Sequence, residues 1–250
     1  MLNVKKKKPL MIALRGTLIT FVIGNVIAWL SGAWPIKFTE IPLSEEEQAF
    51  IATQTENSIA SDAKTIGLIY FLHNYLEKAA EVVKTEQAQG NTTTELEALS
   101  AAINAKIAGT RLDLLFGQRK LYQLKQALAQ LKQTSDALPA QLDVQLLALW
   151  AFISVPDIGD SEANALVIEQ RIKPVLLEEG VPKDLAASGW LALTHLYLNM
   201  ANEDDANSDS WKTKSLEAWK RYQQLDSQPL WLVKESQDLG LKVNGLFYGK

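Results

Sequence analysis

The residues that could carry chemistry in this chain are few and scattered. There are two histidines, His73 and His195, and no cysteine. Neither histidine has a partner histidine four residues away, so neither can form the two-imidazole face that holds zinc on a helix. Both lie within apolar helical patterns, where a buried, hydrogen-bonded imidazole is expected rather than a ligand or a base. His73, on a helix seam, is also a candidate pH-sensitive core position. Glu203-Asp204-Asp205 with Asp209 could draw a hard cation, but the run lacks the alternating carboxylates, glycine and late glutamate of a calcium loop. A solvated loop is the simpler expectation. Asp157, Asp160 and Glu162 stand where a helix should begin and answer its dipole. Glu45, Glu46 and Glu47 are consecutive, so they point to different helix faces and make no convergent acid pair. Dinucleotide, phosphate-loop and nucleophile-elbow patterns are absent. No catalytic, cofactor-binding or metal-binding residue is assigned, and the chain reads as a non-enzyme with no cofactor.

Charge and composition narrow the classes further. The net charge of −4 comes from 25 basic and 29 acidic residues among 250. Residues 1–34 hold five basic residues (Lys5, Lys6, Lys7, Lys8 and Arg15) and no acid. The remainder therefore carries 20 basic against 29 acidic residues, a net of −9. Phosphate backbones need a basic surface, so a nucleic-acid partner is not expected. Without cysteine there are no disulfides, no thiolate sites and no lipid-bearing cysteine. The hydrophobic fraction of 47% and seven tryptophans allow a real core.

One segment must sit elsewhere than in a soluble core. After a basic tail (1–9), residues 10–34 read LMIALRGTLITFVIGNVIAWLSGAW. From Gly16 to Trp34 no residue is charged, and at about 1.5 Å per residue this run spans roughly 28 Å, close to the ~30 Å hydrocarbon core. Arg15 can snorkel towards the lysine end, and Trp29 and Trp34 suit the far interface. The lysines predict an N-terminus inside and a domain outside, as in a single-pass protein of a bacterial inner membrane with a periplasmic domain. The alternative is a cleavable signal peptide, with Ser31 and Ala33 at the −3 and −1 positions. Gly16, Thr20, Gly24, Ala28 and Gly32 recur every fourth residue. Such small side chains let two helix backbones approach. They are the candidate contact with an integral membrane partner or a second copy, the alternative being an ordinary single anchor with incidental glycines.

The remaining residues read as all-α. PIKFTEIPL (35–43) carries two prolines and is expected to be a stalk. Ser44 and Glu47 form a capping box that starts a helix. From Asp62 to about Gln89, Ile66, Ile69, His73, Leu76, Ala80 and Val83 follow helical spacing. Gly90-Asn91-Thr92-Thr93 is a turn, Thr94 and Glu97 form a second capping box, and the next helix runs to about Asp136. Its Leu114, Leu121, Leu124, Leu128 and Leu131 mark a seam. These two long helices should form an antiparallel hairpin over 44–138. After Pro139 come shorter helices: an apolar one at 141–154, one at 161–179 kinked by Pro174, then 183–200, 211–226 and 230–239. ANEDDANSDS is expected to be an acidic loop, and Gly240 to begin a tail.

Residues 139–250 also show a resemblance. Trp190, Leu193 and Tyr197 occupy the first-helix positions of a tetratricopeptide repeat, and Ala218, Tyr222 and Pro229 resemble its second-helix positions. Thr194 stands where that repeat has glycine, and the acidic loop would be an insertion. The similarity spans about residues 188–230 and loosely 110–230, where Ala127, Leu131 and Pro139 match second-helix spacing. It implies a stacked helical surface that binds a peptide or partner protein. Trp211, Trp219, Trp231, Phe247 and Tyr248 are the candidate contact surface, because large rings dominate interface energetics; core packing is the other use for them. The functional expectation is a membrane-anchored adaptor, accessory subunit or assembly factor of a membrane protein complex. The alternative is an extracytoplasmic sensor or ligand-binding domain.

Overall fold

A computed structural model describes residues 35–57, 62–110 and 117–248. Among these residues there are ten α-helices and no strand: α1 (Glu45–Asn57), α2 (Ala63–Leu72), α3 (Leu76–Ala88), α4 (Thr94–Thr110), α5 (Gln118–Ala137), α6 (Leu142–Ile153), α7 (Ser161–Val175), α8 (Lys183–Glu203), α9 (Ser208–Gln223) and α10 (Val233–Tyr248). The all-α class is thus as expected. None of the described helices is long and apolar enough to cross a membrane. The stretch 10–34, with Gly16, Thr20, Gly24, Ala28 and Gly32, lies outside the described residues, as does Leu114.

The apolar helix α8 is the hub. Fourteen of its 21 residues are buried, and such an all-round apolar helix must be covered on every side. Helices α6, α7, α9 and α10 cover it, with Leu149, Phe152, Ile172, Ala218 and Leu239 among the residues in contact. At the crossing with α9 the facing groups are small. Thr194 is fully buried, turns its hydroxyl back onto the Trp190 carbonyl (2.8 Å), and its own carbonyl accepts from Ser215 Oγ at 3.2 Å. Against α7, Gly189 leaves no room: an added Cβ would sit 2.7 Å from both terminal methyls of buried Leu176. The same core takes in Ala101, Ala102, Leu128 and Leu131 of α4 and α5, so it runs across the boundary expected at residue 138.

A smaller core fills the angle between α3 and α4 with Ala79, Val83, Leu96, Leu99 and Ile103. Phe71 and Leu147 border both cores and join them.

Several elements differ from expectation, each for a local reason. The first long helix breaks after Leu72. Asn74 takes a left-handed conformation (φ 65°), and Tyr75 N–H reaches back to the Tyr70 carbonyl at 2.8 Å. This is a helix-ending turn that asparagine tolerates. The second long helix is two helices, α4 and α5, with Gly117 at φ 84° before α5. The second cap is Thr93 rather than Thr94: its Oγ1 accepts from Leu96 N–H at 3.2 Å. The Ser44–Glu47 box forms with both bonds, at 2.7 and 3.2 Å. The acidic loop shrinks to Asp204–Asn207, because Ala201–Glu203 continue α8 and Ser208 opens α9. Pro174 falls in the last turn of α7, one residue before its end. Helix α10 continues through Gly240 to Tyr248; a Cβ there would lie 3.0 Å from the Trp219 ring, so the glycine serves close packing rather than a stop.

One consequence is measurable. Gly189→Ala should cost about 1–3 kcal/mol by overpacking against Leu176, read by urea unfolding of the full chain in detergent. In a Leu176→Ala background the same change should cost little more.

Candidate interaction site

Residues 35–43 are neither helix nor strand, but they are not a free stalk. Ile36 N–H donates to the Gly109 carbonyl at 2.8 Å, and Ile41 N–H to the His73 carbonyl at 3.0 Å. Asn74 Nδ2 donates to the Thr39 carbonyl at 2.7 Å. The segment is therefore a strap laid across the α2–α3 turn and the end of α4. The break at Asn74 is what makes this possible, since a continuous helix would carry no free groups at that point.

His73 locks the strap. Its ring is 1% exposed. Nδ1 lies 3.2 Å from the Ile41 carbonyl and 3.1 Å from that of Pro42. Nε2 lies 3.0 Å from Glu47 Oε1. Both ring nitrogens thus face oxygen atoms, two backbone carbonyls on one side and a carboxylate on the other. The expected buried, satisfied histidine is found here, and its partners are strap and α1 rather than core.

Lys106 completes the clasp. Its ammonium donates to Asn74 Oδ1 at 2.6 Å and lies 5.1 Å from the Phe38 ring centre and 4.7 Å from that of Phe71. Among the described residues it forms no ion pair with a carboxylate. Burial lowers its pKa from the usual lysine value to about 8. Two rings and one amide thus hold a partly buried cation between strap and body.

His195 is the other imidazole, on α8. Its Nδ1 is 3.3 Å from Glu235 Oε1 of α10, yet out of line for a hydrogen bond, so that nitrogen is buried without a partner. Burial, and then the charge of Lys242, lowers its pKa to about 4. Burial raises that of Glu235. At neutral pH the imidazole is neutral and this contact is not an ion pair. The Trp150 ring meets it edge-on at 6.3 Å. Elsewhere Tyr197 donates to Glu169 at 2.6 Å, and burial followed by that carboxylate raises the phenol pKa. Burial and then Glu203 raise the pKa of Glu162, so the acidic residues at the α8 end meet an acid of α7. Asp204, by contrast, is a capping residue: it accepts from Asn207 N–H at 3.2 Å and from Trp211 Nε1 at 3.1 Å. Among the described residues no three carboxylates or imidazoles stand close enough to hold a metal.

Of the aromatic residues expected to form a contact surface, one is buried and two are partly buried. Trp219 is 9% exposed and belongs to the main core. It stacks on Tyr222 at 5.3 Å. Trp211 stacks on Tyr197 at 6.0 Å beneath the Lys214 ammonium. Trp231 packs partly buried against the same core. Three indoles are a large apolar area, and burying it stabilises the fold. The side chains of Phe247 and Tyr248 lie outside the described residues. What does reach the surface is a groove of about 520 Å³ between α9 and α10. Its floor is the edge of Trp219 with Tyr222. Its rim is Leu241, 74% exposed, flanked by Gln223, Gln237 and Asn244. No charged residue lines it. The Tyr222 hydroxyl is buried there without a hydrogen-bond partner. Sequence spacing does not reveal such a groove, because it arises from the unforeseen length of α10.

Comparison with known protein families, characterised proteins and solved structures finds no match to this chain.

The His195 environment predicts a pH response with a definite sign. The unfolded chain binds a proton near 6.5 and the folded chain only near 4. Stability is therefore full above about pH 6.5 and falls as pH drops towards 4, by at most about 3 kcal/mol. Glu235, raised by burial, opposes part of that loss. Urea unfolding between pH 7 and pH 4 should show the slope, and His195→Gln should flatten it.

Proposed function

We propose that the chain is a non-catalytic, membrane-anchored adaptor, accessory subunit or assembly factor. Residues 10–34 cross a bacterial inner membrane with the N-terminus inside, and the helical body stands outside. The observation that carries this reading is the strap. The segment that directly follows Trp34 is fixed to the body at Ile36, Thr39 and Ile41, so whatever residues 10–34 bind is held in a set relation to the helices. A flexible tether would have sufficed to keep an enzyme near a membrane.

Gly16, Thr20, Gly24, Ala28 and Gly32 meet a partner helix, from an integral membrane protein or a second copy. The α8–α9 pair, with its resemblance to a tetratricopeptide repeat, and the uncharged groove beside it receive a protein segment. Support for the groove comes from its apolar floor and its exposed leucine.

Cross-linking of the intact chain in its own membrane, followed by purification in mild detergent, tests the proposal. A defined partner should co-purify, and Gly24→Leu should reduce its recovery several-fold without lowering the abundance of the chain. A lone monomer from both forms would rule out the small-residue contact.

A further inference from the structure

The described chain is acidic overall, but its charge is not evenly spread. Between Asp113 and Asp136 there are four basic residues (Arg119, Lys120, Lys125 and Lys132) and no acid. Lys132 is paired with Asp136 at 2.6 Å, at the far end of α5. Arg119 and Lys125 are exposed near its start. Leu121 and Tyr122 share those first turns, 40% and 63% exposed. A leucine and a tyrosine open to water among basic residues form a patch with interfacial composition.

The position of the patch gives it meaning. Helices α4 and α5 pack against each other, and only seven residues separate the end of α4 at Thr110 from the start of α5 at Gln118. That end is where Ile36 is hydrogen-bonded, through Gly109. Ile36 is itself 57% exposed, and Lys37 is exposed next to it. Ile36 is two residues past Trp34, the expected outer end of the membrane helix. Two residues span at most about 7 Å. On the anchor reading, Ile36 and the end of α4 that it bonds through Gly109 therefore lie within about 10 Å of the bilayer surface. The strap's one acid, Glu40, is four residues further on, beyond the Phe38–Lys106 clasp.

We infer that the start of α5, with Ile36 and Lys37, docks on the outer leaflet of an anionic bilayer. Leu121, Tyr122 and Ile36 enter the headgroup layer, and Arg119, Lys125 and Lys37 meet lipid phosphates. The inference rests on the membrane-anchor reading of residues 10–34. It gives the strap a second purpose, which is to set the body's tilt on the membrane.

Because the chain lacks cysteine, single nitroxide labels can be placed at will. Full chains carrying Gly24→Cys, Gln118→Cys, Tyr122→Cys or Asp205→Cys would be reconstituted in phosphatidylcholine vesicles with and without phosphatidylglycerol. Collision rates with oxygen and with a nickel chelate report depth. The label at 24 should be deep. Those at 118 and 122 should collide with nickel several-fold less often than the one at 205, only with phosphatidylglycerol present. Arg119→Glu with Lys125→Glu should restore their collisions. Labels at 118 and 122 as wet as the one at 205, with 24 deep, would overturn the docking and leave the anchor standing. A wet label at 24 would overturn the anchor and the docking with it. Shielding that needs no anionic lipid, or that grows with protein concentration, would overturn the lipid assignment in favour of a protein contact.

Discussion

A buried imidazole holds the N-terminal part of this protein in register with the rest. His73 faces the carbonyls of Ile41 and Pro42 on one side and the Glu47 carboxylate on the other. Its own carbonyl accepts from Ile41. These contacts cross a long stretch of sequence to join an extended strap, the first turn of α1 and the end of α2. They act with the Ile36–Gly109 and Asn74–Thr39 bonds and the Phe38–Lys106 contact, which hold the strap further along. The left-handed Asn74 beside it ends α2, accepts from Lys106 and donates to Thr39. A single helix break therefore supplies most of the polar groups that position the chain's entry into the body.

The body can accept that fixed point because it is itself rigid. Helix α8 is covered on all sides, and its contacts reach from α4 to α10 through one continuous core. Polar groups inside it are largely satisfied by neighbours. Trp150 donates to Ser188 at 2.9 Å, and Gln145 donates to the Ser135 and Leu138 carbonyls, closing the end of α5.

The helical class, the Ser44 cap, the buried apolar run at 141–154 and the buried state of His73 were legible in the sequence. They depend on local pattern: spacing, capping chemistry and hydrophobic density. What was not legible depends on distant partners. Nothing in PIKFTEIPL announces that its amides find Gly109 and His73; two prolines look the same in a stalk and in a strap. The His73 seam position reads as helix interior until Asn74 is seen to turn left-handed. Gly240 looks like a stop, because the Trp219 ring that needs its missing side chain comes from another helix. The tryptophans were recognised as important, but spacing cannot tell a ring that lines a core from one that faces a partner.

Together these features describe a helical body to which residues 35–43 are bound as a strap, with an uncharged groove between α9 and α10. The central claim is that the strap is bound and not free. Amide hydrogen exchange of the full chain in detergent tests it most directly. The account predicts that the Ile36 and Ile41 amides exchange orders of magnitude more slowly than those of an open peptide, because each donates within the fold. Exchange of both at the rate of an unstructured segment, with α8 still protected, would contradict it.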